Sequence, residues 1–345
     1  MQHWIFQGTH YQAGLQYGTR LREDGVVIES GLTFSMTPQR REFASRCLPL
    51  YARYFPQILE ELQGVADGQG IPVQTLQAIL FPLYCFPLSP HCTCFAFPTG
   101  DGAVFGRNSD FLPRFEAAYA NCLYQLEGVL PFNGNTTAFL QMEDGVNGKG
   151  LAVGLTFVPS LLGRPEGQAL VRPGLHAGML VRYLLERCRT VEEALEALAE
   201  LPIASSQTLI LADISGQVAL VECNAQVREI LRSQGDPPFA AAVNRFHGSK
   251  LQPYQNPPDL DDWRAEERYR TVTAALGTLP KADPIAFAQA LLSGKYGFLC
   301  QYDRSQGADT VWSVVYDLGR GRVWRAEGNP SRLPFQEDLR MSILR

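Results

Sequence analysis

The sequence predicts an α+β fold of stacked antiparallel sheets with helices on their outer faces. Three observations predict it. Through the first ninety residues apolar side chains recur at helical spacing, with Ile58, Leu59, Leu62, Val65 and Ala66 on one face. Beyond Cys92 the texture changes to short apolar or alternating runs bounded by turn residues. These strand candidates come in groups, with helical stretches between the groups in place of regular βαβ alternation.

In chain order, Tyr11–Glu23 reads as a short helix weakened by Gly14 and Gly18. A helical stretch follows from Pro38 to about Gly68, with breaks expected at Pro49 and Pro56 and an end at Gly68 and Gly70. Val73–Leu83 reads as a further helix, and FPLYCFPLSP (81–90) as an extended linker into Cys92. Residues 93–107 read as a β-hairpin turned at Gly100–Asp101–Gly102. Further strands are expected at Cys122–Leu126, Thr137–Gln141, Leu151–Phe157, Thr208–Asp213, Val218–Cys223, Phe239–Val243, Val311–Asp317 and Arg322–Arg325. Helices are expected at Leu175–Arg187, at Thr190–Leu201 behind a Thr190/Glu193 capping box, at Asp262–Leu276 and at Pro284–Leu292.

Composition narrows the function classes. The chain has 345 residues, 46% of them hydrophobic and 19% charged, so a sizeable core is available. Its net charge of −5 and the lack of any Lys/Arg block argue against nucleic acid and polybasic membrane contact. MQHWIFQGTHYQ lacks the basic-then-apolar pattern of a signal peptide, and no apolar run is long enough to span a bilayer. The eight cysteines are scattered, which predicts reduced thiols and a cytoplasmic protein.

The chemistry concentrates in SPHCTCFAFPTGDGAVFGRNSDF (89–111). A thiol is nucleophilic as thiolate, and at an unperturbed pKa of about 8.5 little is ionised at neutral pH. Of the five histidines, His3, His10, His91, His176 and His247, none sits in a Cys–His protease signature. A second route to activation needs no histidine. If the chain is cut just before Cys92, the freed α-amine, with a pKa of about 7.7–8.0, can act as the base for its own thiol. A guanidinium would then favour the thiolate and a carboxylate would hold the amine. Arg107 and Asp110 are the right types, and the hairpin would return Arg107 beside Cys92.

These residues resemble a family. Cys92-Thr93-x-Phe95 followed by Gly106-Arg107-Asn108-x-Asp110 resembles the N-terminal-nucleophile hydrolases of linear amides: choloylglycine hydrolases, acid ceramidase and the acyl-coenzyme A:isopenicillin N acyltransferases. The opening from Gly8 to Gly14 with Gly18, and the stretch Glu61–Gly68, resemble the acyltransferase branch and its pro-segment. VNGKGLAVGL (146–155), AAVNRF (241–246), EERYRT (266–271), DTVWSVVYDL (309–318) and Glu327–Pro330 resemble later family segments in the same order.

The resemblance implies a four-layer αββα core and self-cleavage between His91 and Cys92. Residues 1–91 would be a helical pro-segment that stays bound, and 92–345 the catalytic part. Cys92 would be the nucleophile, Arg107 and Asp110 its supports, and Asn244 a donor to the oxyanion. Thr156, Arg268 and Asn108 would lie at the substrate or oxyanion positions. Choloylglycine hydrolases carry asparagine where this chain has Thr156, which argues against a bile-salt substrate. The expected activity is amide hydrolysis through a Cys92 acyl-enzyme, or transfer of the acyl group from an amide or thioester to an amine. No metal or organic cofactor is expected, coenzyme A entering only as a substrate. The partner expected is a small acyl amide or thioester, and a homo-oligomer is compatible with this reading.

Other readings compete. Cys92 and Cys94 share a face of a strand and can be inert core thiols, a CxC metal pair or a redox pair. Arg107 and Asp110 can be a surface ion pair, Asn244 a turn residue and Arg268 part of a solvated helix face. The whole can be a non-catalytic αββα binding protein.

Overall fold

The structure, a computed structural model, describes residues 1–32, 34–85, 91–159, 171–255, 263–278 and 283–344. Strand β1 (Gln2–Gly8) leads into helix α1 (His10–Glu23). Thr9 sets that junction: its hydroxyl accepts from Gln12 N–H while the Gln12 side chain accepts from Thr9 N–H, a reciprocal cap. Helices α2 (Pro38–Tyr54), α3 (Pro56–Gln69) and α4 (Val73–Leu80) follow. α2 runs through Pro49, held by the buried Cys47 and Tyr51 on either side, so the expected break falls only at Pro56, the first residue of α3. Gly70 ends α3 in the left-handed conformation, with φ +71°. Gly14 and Gly64 explain why α1 tolerates its glycines. A Cβ on either would collide with the backbone of the facing helix, so the pair lets α1 and α3 touch. α4 stops short of Leu83, and residues 81–85 form turns where an extended linker was expected, with residues 86–90 of that linker outside the described residues.

The hairpin is longer than the sequence suggests, with β2 at His91–Thr99 and β3 at Gly102–Phe111. Then come β4 (Ala120–Leu126), β5 (Phe132–Thr136), β6 (Asp144–Asn147), β7 (Ala152–Phe157), α5 (Ala177–Arg187) and α6 (Val191–Glu200). The strand expected at Thr137–Gln141 is an irregular link between β5 and β6. Thr190 caps α6 by accepting from Glu193 N–H, but the Glu193 carboxylate takes the N–H of Arg189, so the box is not reciprocal. The chain continues through β8 (Gln207–Ala212), β9 (Val218–Cys223), β10 (Arg228–Leu231), β11 (Ala240–Ala242), α7 (Ala265–Leu276), α8 (Pro284–Leu292), β12 (Asp309–Asp317), β13 (Arg322–Ala326) and β14 (Gln336–Glu337). α7 starts at Ala265, after Trp263 and Arg264 in left-handed conformations, and Asp262 lies outside the described residues.

Among the described residues, one sheet has the order β1-β4-β5-β6-β7-β8-β9-β10 and the other β11-β2-β3-β12-β13-β14. β1 is a correction to the all-helical opening. Trp4 and Phe6 alternate inward, and the strand pairs in parallel with β4. Three apolar clusters define four layers. Helices α1–α6 pack on the outer face of the first sheet through residues such as Leu155 and Leu209. Between the sheets lie Cys94, Phe105, Ile210, Val314 and Tyr316. Phe95, Phe97 and Val315 pack outward against α7 and α8. This is an αββα arrangement. No helix among the described residues is long and apolar enough to cross a membrane.

Candidate active site

The β2–β3 ladder pairs His91 with Asp110, Cys92 with Ser109, Thr93 with Asn108 and Cys94 with Arg107. Residues opposite one another in an antiparallel ladder share a face, and the faces alternate along each strand. Cys92, Cys94, Arg107 and Ser109 therefore face the other sheet. His91, Thr93, Asn108 and Asp110 face α7 and α8. Gly154 on β7 makes room for the first set, since a Cβ there would press on Phe105, Cys94 Sγ and Arg107 Cδ.

Between the sheets, the Arg107 guanidinium is fully buried and each nitrogen is used. Nε donates to Leu155 O at 3.0 Å and Nη1 to Asp144 at 2.9 Å. Nη2 donates to Cys92 Sγ at 2.9 Å and to Glu143 at 3.2 Å. Asp144 also accepts from Trp312 Nε1–H at 3.1 Å and Tyr316 O–H at 2.7 Å, and Glu143 from Ser109 O–H at 3.3 Å and Thr137 N–H at 3.2 Å. One cation is thus fixed between two carboxyl groups and the sulfur. Burial pushes the Cys92 thiol up to about 12, with Arg107 as the main opposing influence. Burial thus favours the neutral thiol in the continuous chain.

At the edge of the ladder beside β2, Asn244 follows β11. Its Oδ1 accepts from Cys92 N–H at 2.9 Å and from Arg268 Nη2 at 3.0 Å, and its Nδ2 donates to Phe157 O at 2.8 Å. Arg268, on α7, donates from Nη1 to Cys92 O at 2.6 Å and Thr93 Oγ1 at 3.0 Å, and from Nε to Trp263 O at 3.0 Å. It is fully buried, not on a solvated face. Its Nη1 lies 3.7 Å from Asp110, which accepts from Thr310 O–H at 2.6 Å and Tyr302 O–H at 3.1 Å.

The structure thus gathers Cys92, Arg107, Asn244, Arg268 and Asp110 around the peptide bond that joins His91 to Cys92. The competing reading of Arg107 and Asp110 as a surface ion pair fails: both are buried and they lie on opposite faces of the ladder, so neither is the other's ion-pair partner. Arg107 pairs with Glu143 and Asp144, and Asp110 faces Arg268. Asn108 donates to Leu292 O, on the α8 side and away from the sulfur. Thr156 spends its hydroxyl on Val243 O and Thr208, bracing the strand that leads to Asn244. Sequence reasoning missed Glu143, Asp144, Tyr302, Thr310 and Trp312. The signal for the first two was an adjacent acid pair inside the otherwise uncharged stretch FLQMEDGVNG.

Burial pushes the Asp110 carboxyl up to about 6, against the pull of Arg268 and its two hydroxyl donors. An unfolded aspartate titrates near 3.9, so the fold favours the protonated form. That contribution is complete below about pH 4 and is lost as pH rises through 6. Between pH 4 and 7 the continuous chain, kept whole by Cys92→Ala, is therefore expected to lose about 2–3 kcal/mol relative to the same chain carrying Asp110→Asn, read by calorimetry.

A second cluster joins the N-terminal helices to the body. His10, Glu61 and Glu186 bring ligand atoms within 4.8 Å of one another. Arg182 donates to both carboxylates, so the positive charge a metal ion would bring is already in place.

A sequence model of the acyl-coenzyme A:6-aminopenicillanic acid acyl-transferase family matches residues 98–332. Penicillin V acylase from Agrobacterium tumefaciens is 17% identical, over 68% of this chain and 82% of its own, with a TM-score of 0.50. A mutant conjugated bile acid hydrolase from Clostridium perfringens is 15% identical over 68% and 89%, with a TM-score of 0.49. The Caenorhabditis elegans ortholog of N-acylethanolamine-hydrolyzing acid amidase is 17% identical over 66% and 93%, with a TM-score of 0.48. At such identities the likeness is one of fold, and the first of these carries it. No curated protein matches the sequence.

Proposed function

The chain belongs to the acyl-coenzyme A:6-aminopenicillanic acid acyl-transferase family, and on that premise we propose that it is a self-cleaving cysteine amidohydrolase whose nucleophile is Cys92. The observation that carries this reading is the pair of contacts on that one residue. Arg107 donates to its sulfur and Asn244 accepts from its backbone nitrogen.

Self-cleavage would begin with attack of Sγ on the His91 carbonyl carbon. The S–C bond forms, the C–N bond breaks and the thiol proton passes to the departing nitrogen. Water then splits the thioester, leaving a carboxylate on His91 and a free thiol and α-amine on Cys92. In the processed enzyme the α-amine takes the thiol proton and the thiolate attacks a substrate amide. The leaving amine receives the proton back, and water resolves the acyl-enzyme. Asp110 would hold the α-ammonium, which requires its carboxylate, so kcat/KM should fall at low pH as Asp110 is protonated, opposite to the stability trend. Asn244 Nδ2 would turn from Phe157 O to the oxyanion. Asn244→Ala is expected to lower kcat by about 10²–10³, measured on processed enzyme.

The name of the family favours a second reading, transfer to an amine acceptor, which uses the same groups and differs in whether water or the amine meets the acyl-enzyme. The pro-segment 1–91 would stay docked on 92–345 after the cut. β1 is built into the first sheet, and His10 and Glu61 meet Glu186 and Arg182 across the boundary. Eight unpaired cysteines suit the reducing cytoplasm. Intact-mass measurement of wild type during incubation tests the proposal: fragments 1–91 and 92–345 are expected. A chain that stays whole yet hydrolyses amides would overturn the α-amine as base.

A further inference from the structure

In the continuous chain Cys92 has no exposed surface. A substrate carbonyl can reach Sγ only through space that another group gives up. On the proposed reading, that group is His91, whose carbonyl is bonded to the Cys92 nitrogen and leaves when the chain parts.

The space His91 occupies has a definite character. His91 is 1% exposed, and its imidazole lies flat on the Trp263 indole, with centroids 4.4 Å apart and planes 20° apart. Neither ring nitrogen has a hydrogen-bond partner among the described residues. Burial, reinforced by Arg268, drives the imidazole well below its usual pKa, so the ring is neutral and is held by its face. Behind Trp263, Tyr302 meets the indole edge-on at 5.4 Å, and Phe298 meets Tyr302 at 5.3 Å. The Tyr302 hydroxyl is committed to Asp110. The site therefore offers His91 an aromatic wall and recognises it as a ring, not as a base.

We propose that Trp263 forms the acyl subsite of the processed enzyme, and that the acyl group it selects carries an aromatic ring two carbons from the carbonyl, a 3-arylpropanoyl group. This rests on the self-cleaving reading above. The first thioester Cys92 forms would carry the His91 acyl group, in which carbonyl, Cα, Cβ and ring follow in that order. The acyl-enzyme of a substrate is the same species, with a new acyl group on the same sulfur. A substrate that seats its carbonyl at Sγ and its ring on Trp263 needs the same spacer.

The test compares 3-phenylpropanoyl and hexanoyl p-nitroanilides, which share a leaving group, on enzyme shown by intact mass to be cleaved. The wild type is expected to favour the aryl substrate in kcat/KM by about 10-fold, the scale of one aromatic pair. Trp263→Ala should bring that ratio to about 1, and Trp263→Phe should keep most of it. If Trp263→Ala is not cleaved, the Trp263→Phe ratio decides, with 3-phenylpropanoate inhibiting wild type more strongly than hexanoate. Equal rates in wild type, or a ratio unmoved by Trp263→Ala, would overturn the subsite and leave the amidase reading standing. Cleaved enzyme that turns over no amide or thioester would overturn that reading and the subsite with it.

Discussion

Cys92→Ala is expected to remain one chain of 345 residues where wild type separates into 1–91 and 92–345, and to turn over no amide. Removing a nucleophile that acts together with its base typically costs about 10⁶ in rate, and on the proposed mechanism it would also remove the step that creates the base. No other thiol can replace it. Cys94 lies on the same face, but its sulfur packs toward Gly154, and the contact from the Arg107 Nη2 N–H goes to Cys92 Sγ. The loss will not come from unfolding. The substitution removes one buried sulfur, a small cavity by the measure of core truncations, and leaves the ion pairs of Arg107 in place. Cys92→Ser is the informative companion. A hydroxyl still accepts from Arg107 but is a weaker nucleophile, so slow appearance of the two fragments is expected. Time-resolved intact mass on the three proteins reads all of this. Fragments appearing at wild-type rate in Cys92→Ala would mean that a contaminating protease makes the cut.

What was legible in the sequence was what is local. The turn at Gly100–Gly102 fixes the register of β2 on β3, so the approach of Arg107 to Cys92 follows from counting residues. The same counting, carried one step further, rules out the competing reading of Arg107 and Asp110 as an ion pair. The two are three residues apart in a strand, an odd number, and so point to opposite faces. Asn244 and Arg268 were legible only through the family resemblance, because no periodicity ties the end of β11 or the middle of α7 to the start of β2. Glu143 and Asp144 stood out as an acid pair, but their partner was out of reach for a different reason. Their role depends on β6 of one sheet lying over β2–β3 of the other, a relation between layers. β1 was missed because seven residues with one buried side chain give a weak alternation signal, and its parallel partner lies far along the chain.

Arg107→Met is expected to remove activity and to cost about 3–5 kcal/mol of stability, a large part of the 5–15 kcal/mol typical of a folded domain. The reason is what the guanidinium leaves behind. Asp144 and Glu143 are both buried, and Arg107 is the cation that faces each of them. Methionine fills similar space and supplies no charge, so two carboxyl groups stay between the sheets without a counterion. Arg107→Lys separates the two roles of the residue. An ammonium keeps the charge near the carboxylates but cannot reach Leu155 O, Asp144, Glu143 and the sulfur at once, as the planar fork does. Calorimetry should therefore show Arg107→Lys much closer to wild type than Arg107→Met, while its self-cleavage and amide turnover fall by about 10²–10³, the loss typical of a removed electrostatic donor. If the lysine variant cuts itself at wild-type rate, the hydrogen bond to Cys92 Sγ has no part in activating the thiol, and Arg107 is a strut between the sheets and nothing more.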